Sequence, residues 1–102
     1  MQYYTYILQS QKDGRFYIGQ TQDVSKRLER HNAGSENYTS KFMPWKIVWF
    51  KTFDDRKKSY KLEQILKKLK SRKGLIKYIR ENPIPGSESQ QISDLHDFRE
   101  SS

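Results

Sequence analysis

Residues 2–9 read QYYTYILQ and residues 15–19 read RFYIG, two runs of aromatic and β-branched side chains on either side of QKDG. Such runs suit the pleated, half-buried surface of a sheet, and a Gly-containing turn between them makes a β-hairpin. The turn length fixes which side chains meet. A two-residue loop at Asp13-Gly14 sets Tyr17 opposite Ser10, and a four-residue loop sets it opposite Leu8. Both loops are even, so Tyr17 shares a face with Tyr4, Tyr6 and Leu8. In the longer loop Tyr6 and Tyr17 are diagonal neighbours, roughly 7–8 Å apart at the backbone and within reach of one another. A three-residue loop would put them on opposite faces. Two tyrosines on one face are either core rings with hydroxyls at the rim or two phenols converging on one point.

The rest of the chain supplies helices and one more strand. Thr21 or Asp23 can cap a helix over about 24–33, stopped by Gly34. A polar loop with a short turn, SENYTSKFM, leads to Pro44, and WKIVWFKTF at 45–53 is a third, central strand. Asp54 or Asp55 can cap a long helix over roughly 55–70, which Gly74 separates from a shorter one ending near ENP. The fold class expected is α/β in the mixed, α+β sense: a small three-stranded antiparallel sheet flanked by helices. Residues 1–82 form the domain, and residues 83–102 a polar, acidic, mobile tail in which ISDLHDF could form a helical turn.

A chain of 102 residues holds one modest core, and with 33% hydrophobic but 14% aromatic residues much of that core must be Tyr, Phe and Trp. The absence of Cys excludes disulfides, thiolate catalysis and a Cys-based zinc site. No apolar run approaches the roughly 20 residues of a membrane span, and MQYYTYILQS has no basic leader; a cytoplasmic protein with no membrane partner is expected. Charge points to the partner. Residues 83–102 carry −3, which leaves nineteen basic against eight acidic side chains on residues 1–82, a net +11. A small domain this basic repels itself without a polyanion, and nucleic acid is the commonest one.

Within the first helix Val24 and Leu28 define the packed stripe, Arg27 and His31 lie at its edge, and Lys26 and Arg30 point away. An arginine beside a packed face requires an anion. Asp23, four residues earlier, is the nearest in sequence; a phosphate would also serve. On the long helix Leu62, Ile65, Leu66 and Leu69 follow helical spacing, with Glu63 on their flank among Lys57, Lys58, Lys61, Lys67 and Lys68. Glu63 is either an ion-pair partner of Lys67 or one carboxylate ligand for Mg²⁺ or Mn²⁺. Mg²⁺ commonly takes one or two protein carboxylates beside substrate phosphates.

Taken in order, YTY (Tyr4, Thr5, Tyr6), YIG (Tyr17, Ile18, Gly19), Arg27 with His31 in SKRLERHNAG, and Glu63 in SYKLEQILKKLK resemble the motifs of the GIY-YIG nuclease family. Ten residues separate the two tyrosines, which suits the family. Thr21, Pro44-Trp45 and the Lys-rich helix look most like its small stand-alone bacterial members, relatives of the catalytic domain of the excision-repair nuclease UvrC. The resemblance covers about residues 2–80. The first motif departs by keeping its tyrosine but neither its Gly nor its Ile. Asn82 is the one Asn after the long helix, where many members carry a polar residue, and a second, DNA-reading domain has no counterpart.

The resemblance implies a divalent-metal-dependent DNA endonuclease, with structure-specific cutting in repair or recombination as the setting it suggests. By that resemblance Glu63 holds one Mg²⁺ or Mn²⁺ and Arg27 stabilises the extra charge of the transition state. Tyr6 and Tyr17 orient the water, and Tyr17, His31 or Tyr6, in that order, takes its proton. Lys26, Arg30, Lys41, Lys67 and Lys70 are the expected nucleic-acid contacts. The substrate is DNA, with RNA left open, and the chain is a monomer or weak dimer. The alternative is a nucleic-acid-binding module without turnover, for which Trp45, Trp49, Tyr38 and Phe42 are candidate stacking residues, the two tryptophans being better placed as core. A third class, a basic structural protein, would leave Arg27, His31 and Glu63 scattered.

Overall fold

The computed structural model describes residues 2–69 and 71–84; Lys70 and the tail from residue 85, with its ISDLHDF segment, lie outside the described residues. Three strands, β1 (Tyr3–Ser10), β2 (Phe16–Thr21) and β3 (Trp45–Phe53), form an antiparallel sheet in the order β2-β1-β3. Four helices surround it: α1 (Val24–Asn32), α2 (Asn37–Ser40), α3 (Arg56–Lys68) and α4 (Arg72–Glu81). None of these helices is long and apolar enough to cross a membrane.

The hairpin takes the four-residue loop. Ser10 and Arg15 close it through a 2.8 Å N–H···O bond, and Leu8 faces Tyr17 while Tyr6 faces Gly19. Ser10 Oγ organises the turn by accepting from the N–H groups of Lys12 and Asp13, and Gly14 takes the positive φ of 82° that ends it. Pairing on both sides makes β1 the central strand, not β3, which lies at the sheet edge. Residues 7 to 9 of β1, between β2 and β3, are almost wholly buried.

The two sheet faces carry separate cores. Tyr6 and Leu8 pack with Trp45, and Val24, Leu28, Phe42 and Met43 close over them from α1 and the segment after α2. On the other face Ile7 packs with Val48, Trp49, Leu66, Leu75, Ile79 and Ile84 beneath α3 and α4. Trp45 and Trp49 are both odd-numbered and would share a face of a regular strand. A register shift opposite Ile7 and Leu8 pairs Ile7 with Trp49 but Leu8 with Ile47, so each tryptophan enters a different core. Burial of Ile84 extends the packed region two residues beyond the boundary expected at residue 82.

Two helix expectations are corrected. α3 turns Ser59, Leu62, Glu63 and Leu66 inward, whereas Ile65 and Leu69 are exposed. The rotation follows from polar groups under the helix: Thr5 Oγ1 donates to Ser59 O at 2.7 Å, and Gln20 Nε2 to Ser59 Oγ at 2.6 Å. The break between α3 and α4 falls at Ser71, not Gly74. Ser71 Oγ accepts from Gly74 N–H at 3.0 Å, so Gly74 sits in the first turn of α4, where the free N–H groups need an N-cap.

Candidate active site

Asp23 is the N-cap of α1, its carboxylate accepting from Lys26 N–H at 3.0 Å. It is occupied at the helix start and is not the counter-ion of Arg27. That anion is Glu36, whose Oε1 takes the Arg27 Nη2 at 3.2 Å from the loop beyond α1. The end of α1 is pinned by Asn32, whose side chain accepts from Trp45 N–H at 2.6 Å and donates to Trp45 O at 3.0 Å. These contacts aim the Arg27–His31 edge of the helix at the face of β1 that carries Tyr6.

There the side chains close a ring. The Tyr6 hydroxyl lies 3.4 Å from Arg27 Nε and 3.3 Å from His31 Nε2. His31 Nδ1 lies 3.0 Å from Thr39 Oγ1 and 3.3 Å from Glu36 Oε2, and Glu36 returns to Arg27. His31 and Tyr6 are almost entirely withdrawn from solvent, while Arg27 and Glu36 keep about a quarter of their side-chain surface, 24% and 27%. Burial pushes the Tyr6 phenol up to about 12, with Arg27 opposing. Burial likewise holds His31 below its ordinary 6.5; Glu36 opposes, and Arg27 and Arg30 push the same way. At neutral pH both are uncharged. A closed-off neutral imidazole and a phenol this reluctant to ionise suit the holding of Arg27 better than proton abstraction from a free water.

Tyr17 occupies the open side of the cluster. Its ring stands edge-on to His31 with centroids 4.9 Å apart, and 6.5 Å from that of Tyr6. It is half-buried, and its hydroxyl has no hydrogen-bond partner among the described residues. The aromatic surface continues outward from Tyr17 to Tyr38, 51% exposed, and then to Phe42. Arg15 lies over Phe42 at 3.5 Å from the ring centre and donates to the Tyr38 hydroxyl at 3.3 Å. Of the four aromatics considered for base stacking, Tyr38 and Phe42 are reachable; Trp45 and Trp49 are buried at 2% exposure each.

Glu63 is not part of this cluster. It lies on α3, across the sheet from Tyr6, on the inward stripe of the helix with 13% of its side chain exposed, and its Oε2 pairs with Lys67 Nζ at 3.0 Å. No group of three His, Asp or Glu side chains able to hold a metal occurs among the described residues. A hard cation at Glu63 would have one carboxylate and would draw its remaining oxygens from water and phosphate, which suits Mg²⁺ or Mn²⁺ and not Zn²⁺. Lys26, Arg30, Lys41 and Lys67 are exposed, as phosphate contacts must be.

Glu36 was not singled out in the sequence. It is nine residues beyond Arg27 in a polar loop, outside any periodic segment, and a turn of chain had to fold back to bring it there. One signal pointed to it: a half-buried arginine whose near neighbour in sequence was a better cap than counter-ion.

A family model described as the GIY-YIG catalytic domain matches residues 2–77. A UPF0213 protein of Bacillus licheniformis is 36% identical over 94 residues, covering 91% of this chain and 95% of the relative. A UPF0213 protein of Streptococcus pyogenes is 35% identical over 77 residues, covering 74% of this chain and 83% of the relative. The solution NMR structure of a UPF0213 protein from Bacillus halodurans superimposes with a TM-score of 0.56 at 29% identity, covering 91% of this chain and 98% of that one.

Proposed function

The chain belongs to the GIY-YIG family of nuclease domains, and from that premise we propose that it is a divalent-metal-dependent endonuclease that hydrolyses phosphodiester bonds in DNA, cutting branched or damaged structures in repair or recombination. The observation that carries the reading is the convergence of Tyr6, Arg27 and His31 behind the open hydroxyl of Tyr17 on a basic domain.

Hydrolysis requires a water directed at phosphorus and compensation for the charge that develops there. Tyr17 offers a solvent-facing hydroxyl that can orient that water and take its proton. The Arg27 guanidinium, held by Glu36 on one side and Tyr6 on the other, meets the non-bridging oxygens and becomes most useful as they gain charge. Tyr6 and His31 keep it there. Lys26, Arg30, Lys41 and Lys67 attract the backbone phosphates without reading sequence. Glu63, which resembles the family's glutamate and faces inward on α3, would hold one Mg²⁺ or Mn²⁺ through its carboxylate. Held on α3 apart from the Arg27 cluster, such an ion would supply Lewis acidity to the substrate oxygens that complete its shell.

Supercoiled plasmid and flap, bubble and branched oligonucleotides, each with Mg²⁺, Mn²⁺ or EDTA, test this. Wild-type protein is compared with Glu63→Gln and Arg27→Ala. Metal-dependent nicking lost in both variants, with DNA binding retained, is the expected result. Binding without cutting in all three proteins overturns it in favour of a non-catalytic nucleic-acid-binding module. The exposed Tyr38 and its Arg15-backed Phe42 neighbour are the features that favour that second reading.

A further inference from the structure

Every polar atom in the Tyr6–Arg27–His31–Glu36 ring has a role constrained by chemistry. An arginine donates and never accepts, so the Tyr6 oxygen accepts from Arg27 Nε. The Tyr6 proton must then go elsewhere, and at 1% exposure the acceptor within reach is His31 Nε2, 3.3 Å away. Nε2 can accept when the neutral ring carries its hydrogen on Nδ1. Nδ1 faces Thr39 Oγ1 at 3.0 Å and Glu36 Oε2 at 3.3 Å.

The opposite tautomer creates two conflicts. Nε2–H would compete with Arg27 for the Tyr6 oxygen while the Tyr6 hydrogen lost its acceptor. A bare Nδ1 would set its lone pair against the Glu36 carboxylate. Glu36 Oε2 is buried and makes no well-aligned hydrogen bond, although His31 Nδ1 lies 3.3 Å away. A proton on Nδ1, shared with Thr39 Oγ1 at 3.0 Å, faces that carboxylate with favourable charge, whereas an empty Nδ1 sets a lone pair against it. Glu36 also stands at the N-cap of α2 yet makes no capping bond with its side chain. Its carboxylate is turned instead toward α1.

We propose that Glu36 is a positioning residue of the site: it clamps Arg27 through one oxygen and, through the other, selects the Nδ1–H form of His31, so that Tyr6 donates to His31 and accepts from Arg27 in one directed ring. Glu36 touches no reacting atom in this role. The inference rests on the reading that Arg27 meets the scissile phosphate, and it deepens that reading by naming what fixes the guanidinium. The charged and titratable groups around His31 are Tyr6 on β1, Tyr17 on β2, Arg27 and Arg30 on α1, and Glu36 before α2.

Long-range proton–nitrogen NMR of ¹⁵N-histidine protein reads the tautomer directly. The chain has two histidines, and His96→Gln assigns the signals of His31. Wild type at pH 7.5 is expected to show a protonated Nδ1 and an unprotonated Nε2. Glu36→Ala should move His31 toward the Nε2–H form, and Glu36→Gln, whose carbonyl still accepts, should restore Nδ1–H. A wild-type ring already protonated on Nε2, or a tautomer unchanged by Glu36→Ala, overturns the inference, and the wild-type result needs no variant to fold. DNA cleavage is measured beside it. If wild type cuts, Glu36→Ala should lower kcat by about tenfold to a hundredfold, as misplacement of a reacting geometry does, with Glu36→Gln between the two. If wild type does not cut, the nuclease reading falls, while the spectra still decide whether Glu36 sets the tautomer.

Discussion

The Tyr6 ring lies across the α-carbon of Gly19, its partner on β2: a β-carbon at Gly19 would stand 2.5 Å from the Tyr6 hydroxyl oxygen and 2.6 Å from the ring carbon that bears it. The glycine of YIG is thus the space through which Tyr6 reaches Arg27 and His31. Gly19→Ala must push the ring out of the cluster, and overpacking of this kind costs about 1–3 kcal/mol. Urea unfolding should show that loss in wild type and a smaller one in a Tyr6→Leu background. Equal losses in the two backgrounds would mean the tyrosine is not what the methyl meets.

Tyr6→Phe and Tyr17→Phe should separate stability from activity. Removing the Tyr6 hydroxyl leaves the buried His31 Nε2 without its partner, so stability falls by about 1–3 kcal/mol. Removing the Tyr17 hydroxyl breaks no hydrogen bond among the described residues, so the urea midpoint stays within error while cleavage drops by about 10²-fold or more. Cleavage by Tyr17→Phe at the wild-type rate would remove Tyr17 from the chemistry.

Arg27→Ala and Arg27→Lys should both lower cleavage, by about 10²–10³-fold for Ala. Lysine restores charge but cannot donate to Tyr6 and Glu36 in the same fork, so it should recover little. Full recovery with Lys would show that charge alone matters. DNA affinity measured by fluorescence anisotropy checks that either loss lies in turnover.

Stability should fall in mild acid. His31 is held below 6.5 in the folded protein, so the unfolded chain binds a proton first as pH drops. The contribution is fully present above about pH 6.5, the unfolded value, and is lost as pH falls through the folded one. Urea midpoints at pH 7.5 and 5.5 should differ for wild type and differ less for His31→Phe. A parallel pH dependence in the two proteins would place the effect on carboxylates elsewhere.

Asn32→Ala should cost about 2–3 kcal/mol, because both the N–H and the C=O of Trp45 lose the side chain that satisfies them. Asn32→Asp should also destabilise, since a carboxylate can accept from Trp45 N–H but cannot donate to Trp45 O. Thermal unfolding of the two variants checks the order, with Ala expected to be the worse.

By itself the sequence determined what depends on neighbours along the chain. The alternation in QYYTYILQ and RFYIG specified two strands of a hairpin, with Tyr6 and Tyr17 on one face for any even loop, because the period of two is a property of any strand. The i,i+4 spacing of Arg27 and His31 beside Val24 and Leu28 likewise put them on the packed side of a helix. Tertiary structure decided what depends on distant partners. The hairpin loop could be two, three or four residues long, and pairing across the sheet chose four and with it the shared face of Tyr6 and Tyr17. Hydrophobicity favoured Leu62, Ile65, Leu66 and Leu69 as the α3 stripe, but Thr5 and Gln20 needed Ser59 beneath the helix and turned Glu63 inward instead. Asp23 was the nearer anion for Arg27 in sequence, yet the free N–H groups of a helix start claimed it, and Glu36 took its place across a loop. Periodicity is written residue by residue; the partner of a buried charge is written only where the folded chain returns to it.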